Sequence, residues 1–151
     1  MKVKIFGKKS HIKFSVEGRP PRKSSWGTDE AVLIAELRLK SLESLRKAGL
    51  SCFSGPVKLE LVMYAPNIMN IENKQTYVGD LDTFVAGVCE SLQPAPTNPD
   101  LIIDPIFDCR DDIGPEIPLI INDDSQVVSI IARKIESEKP HYTVIITSED
   151  S

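Results

Sequence analysis

Apolar and polar positions alternate strictly along His11-Ile12-Lys13-Phe14-Ser15-Val16-Glu17, the signature of a half-buried strand. From about Thr28 to Ala48 the period changes. Ala31, Ile34, Ala35, Leu42 and Leu45, flanked by Val32 and Leu39, recur at helical spacing. Thr28 is placed to cap that helix, Arg46 and Lys47 suit its negative end, and Gly49 is a natural stop. Alternation returns at Val57–Tyr64, with Val57, Leu59, Leu61 and Met63 on one face and Lys58 and Glu60 on the other. After Asp80, the positions Leu81, Phe84, Val85, Val88, Cys89 and Leu92 mark a second amphipathic helix. Two further strands are expected, Val127 to Lys134 and the β-branched run His141–Thr147. The order β-α-β-α-β-β predicts an α/β (α+β) domain: a mixed sheet of about four strands with two helices packed on it.

Between the second helix and the third strand this patterning fails. Residues 93–118 hold prolines at 94, 96, 99, 105, 115 and 118, together with Asp100, Asp104, Asp108, Asp111 and Asp112. They predict a long acidic loop with a short strand at Leu101–Ile103. A loop of this length in a compact domain is usually functional or mobile.

A chain of 151 residues with 41% hydrophobic content is enough for one core, so 1–151 reads as a single domain. No apolar run is long enough to span a membrane, and the N-terminus does not resemble a signal peptide. Cys52, Cys89 and Cys109 match neither a disulfide framework nor a zinc spacing, which points to a reducing, cytoplasmic setting.

The net charge of −4 conceals an asymmetry. Residues 1–25 carry eight basic side chains against Glu17 alone, while the other 126 hold ten basic and twenty-one acidic. A basic N-terminal segment on an acidic body points to a polyanion bound locally. Within it, Arg19, Arg22 and Lys23 lie in a Pro-punctuated loop suited to phosphates, with Trp26 available either for stacking or for the core.

Two acidic points stand out. Asp80 and Asp82 flank Leu81 at the start of the second helix, after Gly79, which eases the turn between them; Asp123 and Asp124 precede the third strand. Carboxylate oxygens suit Mg²⁺, which keeps several waters, and two or three carboxylates suffice to hold it. The same residues also serve as ordinary helix caps and turn formers.

Taken in order, the motifs resemble the RusA-type Holliday junction resolvases. The matching stretches are Phe14-Ser15-Val16-Glu17-Gly18-Arg19-Pro20-Pro21-Arg22-Lys23, Gly55-Pro56-Val57, Gly79-Asp80-Leu81-Asp82, Asp123-Asp124-Ser125-Gln126-Val127-Val128 and Lys134. The resemblance covers nearly the whole chain, with 93–118 as an insertion. It implies a homodimer that cleaves branched double-stranded DNA at four-way junctions using Mg²⁺ or Mn²⁺. By position, Asp80, Asp82 and Asp124 take the metal and catalytic roles, Asp123 a lesser one, and Arg19, Arg22, Lys23, Lys74 and Lys134 the DNA contacts. The chain departs from the family at Thr83 and Ala86, where members carry Asn and Lys. A substitute cation would have to come from Lys74, Arg110 or Lys134. Two alternatives follow: a relative that binds branched DNA with weakened catalysis, or a non-enzymatic α/β domain.

Overall fold

A computed structural model describes residues 10–69 and 79–149. The strands β1 (His11–Glu17), β2 (Val57–Ala65), β3 (Val127–Glu136) and β4 (His141–Ser148) form one mixed sheet in the order β1-β4-β2-β3. The central β4 is antiparallel to both β1 and β2, and β3 runs parallel to β2 at the far edge. The helices α1 (Ala31–Ala48) and α2 (Leu81–Ser91) are the two crossover elements, as the pattern predicts.

Strict alternation gives the sheet its two faces. Ile12, Phe14 and Val16 of β1 align with Ile146, Val144 and Tyr142 of β4, and these with Leu59, Leu61 and Met63 of β2. All are buried, in one cluster with Leu37 and Leu45 of α1 and Phe84, Val88 and Leu92 of α2. Both helices therefore cover the same face. The opposite face carries Lys13, Ser15, Lys58, Glu60 and Arg133.

Two expectations for α1 change. The helix begins at Ala31, because the Thr28 hydroxyl accepts the Glu30 N–H at 3.1 Å and closes a turn before the helix starts. Its buried face is Ala31, Ile34, Leu37, Arg38, Ser41 and Leu45, with Ala35 and Leu42 only half-buried and Val32 exposed. The stripe turns toward Arg38 because that side chain finds a full set of acceptors inside. Its Nε donates to Ile113 O at 2.9 Å and Nη1 to Ser91 O at 2.8 Å and Gln93 O at 3.1 Å. Nη2 donates to Gly114 O at 2.7 Å and Ile117 O at 2.6 Å. Burial pushes the guanidinium pKa down to about 10, which leaves it charged at neutral pH.

Arg38 also explains the segment 93–118, which is neither a plain loop nor a strand. It folds into short 3₁₀ turns at Pro105–Cys109 and Asp111–Ile113, both against α1. Leu101–Ile103 forms no strand. Trp26 is fully buried here, its ring 5.2 Å from Phe107 and 5.2 Å from the Arg38 guanidinium carbon, so it belongs to a second small core with Ala31 and Ile34. That position settles the choice between stacking and packing. Among the described residues, no helix is long and apolar enough to cross a membrane.

Candidate functional site

The α2 helix presents three faces. The first is the core stripe of Phe84, Val88 and Leu92. A second packs beneath the basic loop: a Cβ at Gly87 would overlap the Pro21 carbonyl oxygen, so glycine lets the backbones approach. Glu90 accepts the Ser24 N–H at 2.8 Å on the same side. The third face holds Asp82, Ala86 and Cys89, at helical spacings that put them in one strip, with Gln93 just past its end.

At the start of this strip, Gly79 takes φ +120°, a conformation only glycine adopts readily, and sits against the Phe84 ring. Asp80 follows in an extended conformation, and its side chain makes no capping hydrogen bond to α2. Asp82 is exposed and accepts the Thr83 N–H at 3.0 Å. The simple capping explanation therefore does not account for Asp80.

Asp124 approaches the other end of the same strip. Its N–H donates to Gln93 Oε1 at 2.8 Å. Burial, and then the charge of Asp124, push the Cys89 thiol up to about 11, so the carboxylate faces α2. A 3₁₀ turn, Asp124–Gln126, fixes this position. Asp123 caps the turn by accepting the Ser125 N–H at 3.0 Å, and the Ser125 hydroxyl and amide hold its carboxyl below the usual range. Gln126 donates to Phe53 O and Gly55 O, each at 2.8 Å, and accepts the Asn122 N–H at 2.7 Å. The two neighbouring aspartates thus have different work: Asp123 shapes the turn that presents Asp124.

Asp82 and Cys89 are seven residues apart, about 10 Å along the helix axis. Asp82 is exposed at the start of this strip and Asp124 is exposed beyond its end, while Cys89 between them is buried in the core. Among the described residues, no group of three His, Cys, Asp or Glu side chains is placed to hold a metal ion. Asp80 and Asp82 suit Mg²⁺ or Mn²⁺ in kind, as hard oxygen donors whose ion would complete its shell with water and phosphate.

The basic loop borders the strip. Arg19 Nη1 lies 2.9 Å from Glu30 Oε1 and its guanidinium 5.9 Å from the Phe84 ring centre; Arg22 lies 3.7 Å from the other Glu30 oxygen. Burial raises the Glu30 pKa, but the bond and charge of Arg19, with help from Arg22, hold it below the ordinary value. Lys23 is exposed. Lys134 sits beside Met63 on the helix-bearing side of the sheet. Lys74 lies outside the described residues. Arg110 is engaged by Asp112, with bonds of 2.9 and 2.8 Å, and its segment packs on α1.

Sequence reasoning missed Arg38, Gly87, Glu30 and Gln126. A glycine inside a helical pattern signals a close approach, and an arginine on an apolar stripe signals a buried partner set. The Asp123-x-x-Gln126 spacing is a local capping-box signature, whereas nothing local marks the Glu30 ion pair. No protein-family model matches the chain, and no curated protein matches it.

Proposed function

We propose that this chain is a metal-dependent, structure-selective DNA endonuclease of the RusA type, acting on four-way junctions as a homodimer. The observation that carries the reading is the α2 strip, with exposed Asp82 at one end, exposed Asp124 toward the other and the basic loop of Arg19, Arg22 and Lys23 alongside. Cations of the basic loop beside the exposed carboxylate of Asp82 support phosphodiester chemistry.

In this reading Asp80 and Asp82 would hold Mg²⁺ or Mn²⁺, with Asp124 at the far end of the same strip. There the metal would lower the pKa of a bound water and neutralise developing phosphate charge. Arg22 and Lys23 hold the DNA backbone, while Glu30 orients Arg19 and Arg22 toward it. Lys134 approaches from β3. A junction has two equivalent scissile positions, which suits a two-fold symmetric pair of subunits.

Folded protein is incubated with a synthetic four-way junction and Mg²⁺ or Mn²⁺. Paired nicks near the branch point are expected, absent in the Asp80→Asn and Asp82→Asn variants. No nicking with saturating protein overturns the reading.

Ala86 favours a second reading. It lies on the strip between Asp82 and Cys89, where a lysine ammonium would reach the phosphate and a methyl group does not. A protein that binds junctions with salt-dependent affinity but leaves them uncut, and that cleaves after Ala86→Lys, has kept recognition and lost chemistry.

A further inference from the structure

The sheet has two edges of different character. On β1, the outward residues His11, Lys13 and Glu17 interrupt the apolar ones with charge or polarity, a usual guard against pairing. On β3, the six residues Val127–Ala132 carry no charge. Val128, Ile130 and Ile131 are 61, 50 and 49% exposed, three large apolar side chains within four positions. Among the described residues, β3 pairs with β2 alone, and a register shift at Val57/Lys58 leaves Val128 outside that ladder.

The ends of this edge bear opposite charges. Asp123 and Asp124 precede its apolar centre, and Arg133 and Lys134 follow it. An acidic-apolar-basic edge complements a second copy of itself only when the two run antiparallel. A two-fold axis near Ser129 lies midway between Asp124 and Lys134. It brings each acidic turn toward the basic end of the other copy and stacks the Val128–Ile131 segments on each other. Centring the axis on Ile131 would set Asp124 against Glu138, and a parallel arrangement would set acid against acid. We infer that β3 is the homodimer interface, pairing edge to edge and antiparallel about a two-fold axis near Ser129. This names the contact for the symmetric pair invoked above, yet it stands on the edge itself and is measured without DNA or metal.

Sedimentation velocity of the DNA-free protein across a concentration series tests it. Wild type is expected to dimerise reversibly, with Ile130→Lys and Val128→Lys monomeric where wild type is dimeric. Both sites are exposed, and unchanged circular dichroism melts confirm folding. Asp124→Lys and Lys134→Glu each weaken dimerisation by about tenfold, and combining them in one chain restores it, since like charges facing across an interface repel. A wild type that stays monomeric, or an Ile130→Lys variant that still dimerises, overturns the interface. Failure of the combined reversal to restore affinity overturns the antiparallel arrangement. A dimer without junction cleavage leaves this interface standing and removes the nuclease reading alone.

Discussion

Arg38 meets the C-terminal end of α2, and Asp80 and Asp82 stand at its N-terminal end, yet the protein treats these charges in opposite ways. Arg38 is fully buried and spends its guanidinium on five carbonyl oxygens from α2 and the 93–118 segment. Asp82 is exposed and takes one neighbouring amide. The pair Arg19–Glu30 stands between them, partly buried and joined by one short bond. Folding uses a charge where it can be surrounded by complementary dipoles, and leaves it at the surface where it cannot. Asp82 is therefore left at the surface.

Substitution at each of the three levels sharpens this contrast. The largest effect is expected for Arg38→Leu, which strands five carbonyls and loosens the 93–118 segment. A loss of about 3–5 kcal/mol is expected from urea unfolding. A loss below ~1 kcal/mol would show that the cluster carries little of the fold and break the contrast.

The intermediate case is Glu30. Its folded pKa is below the ordinary value, so the stability from its arginine partners is present above the unfolded pKa of about 4.3 and is lost as pH falls through the lower folded value. The contribution is at most about 1 kcal/mol, since solvent reaches both arginines. Urea midpoints of wild type and Glu30→Gln should differ at neutral pH and converge below about pH 4.

The smallest effect on stability is expected for Asp82→Asn, within about 0.5 kcal/mol, because the amide oxygen still accepts the Thr83 N–H. Calorimetry with Mn²⁺ should nevertheless show lost binding. A variant that unfolds easily and binds Mn²⁺ like wild type would make Asp82 a structural residue.

β1 and β2 were legible because alternation is a local signal, β3 and β4 because apolar β-branched runs are, and β1 coincides with the predicted segment His11–Glu17. Both helices and their order were legible for the same reason, although the start of α1 moved when Thr28 closed its own turn. Residues 93–118 were not legible. Their conformation depends on Arg38, fifty-five or more positions earlier than most of the carbonyls it binds. Trp26 was ambiguous until Phe107 and Arg38 came to lie against it. In the candidate site, the residue types and the turn at Gly79 could be read directly, whereas the assignment of Asp123 to capping and Asp124 to the strip required the folded turn.

By itself, the sequence determined the periodicities, the basic segment and the identity of the acidic residues, because these depend on neighbours within one turn or one strand. Tertiary structure alone decided that Gly79, Asp80 and Asp82 open a strip that Asp124 joins from beyond the 93–118 segment. Spatial convergence is set by how α2 lies on the sheet, which Gly87 against Pro21 and the carbonyls around Arg38 control. Those contacts join distant parts of the chain, so no local pattern encodes their outcome.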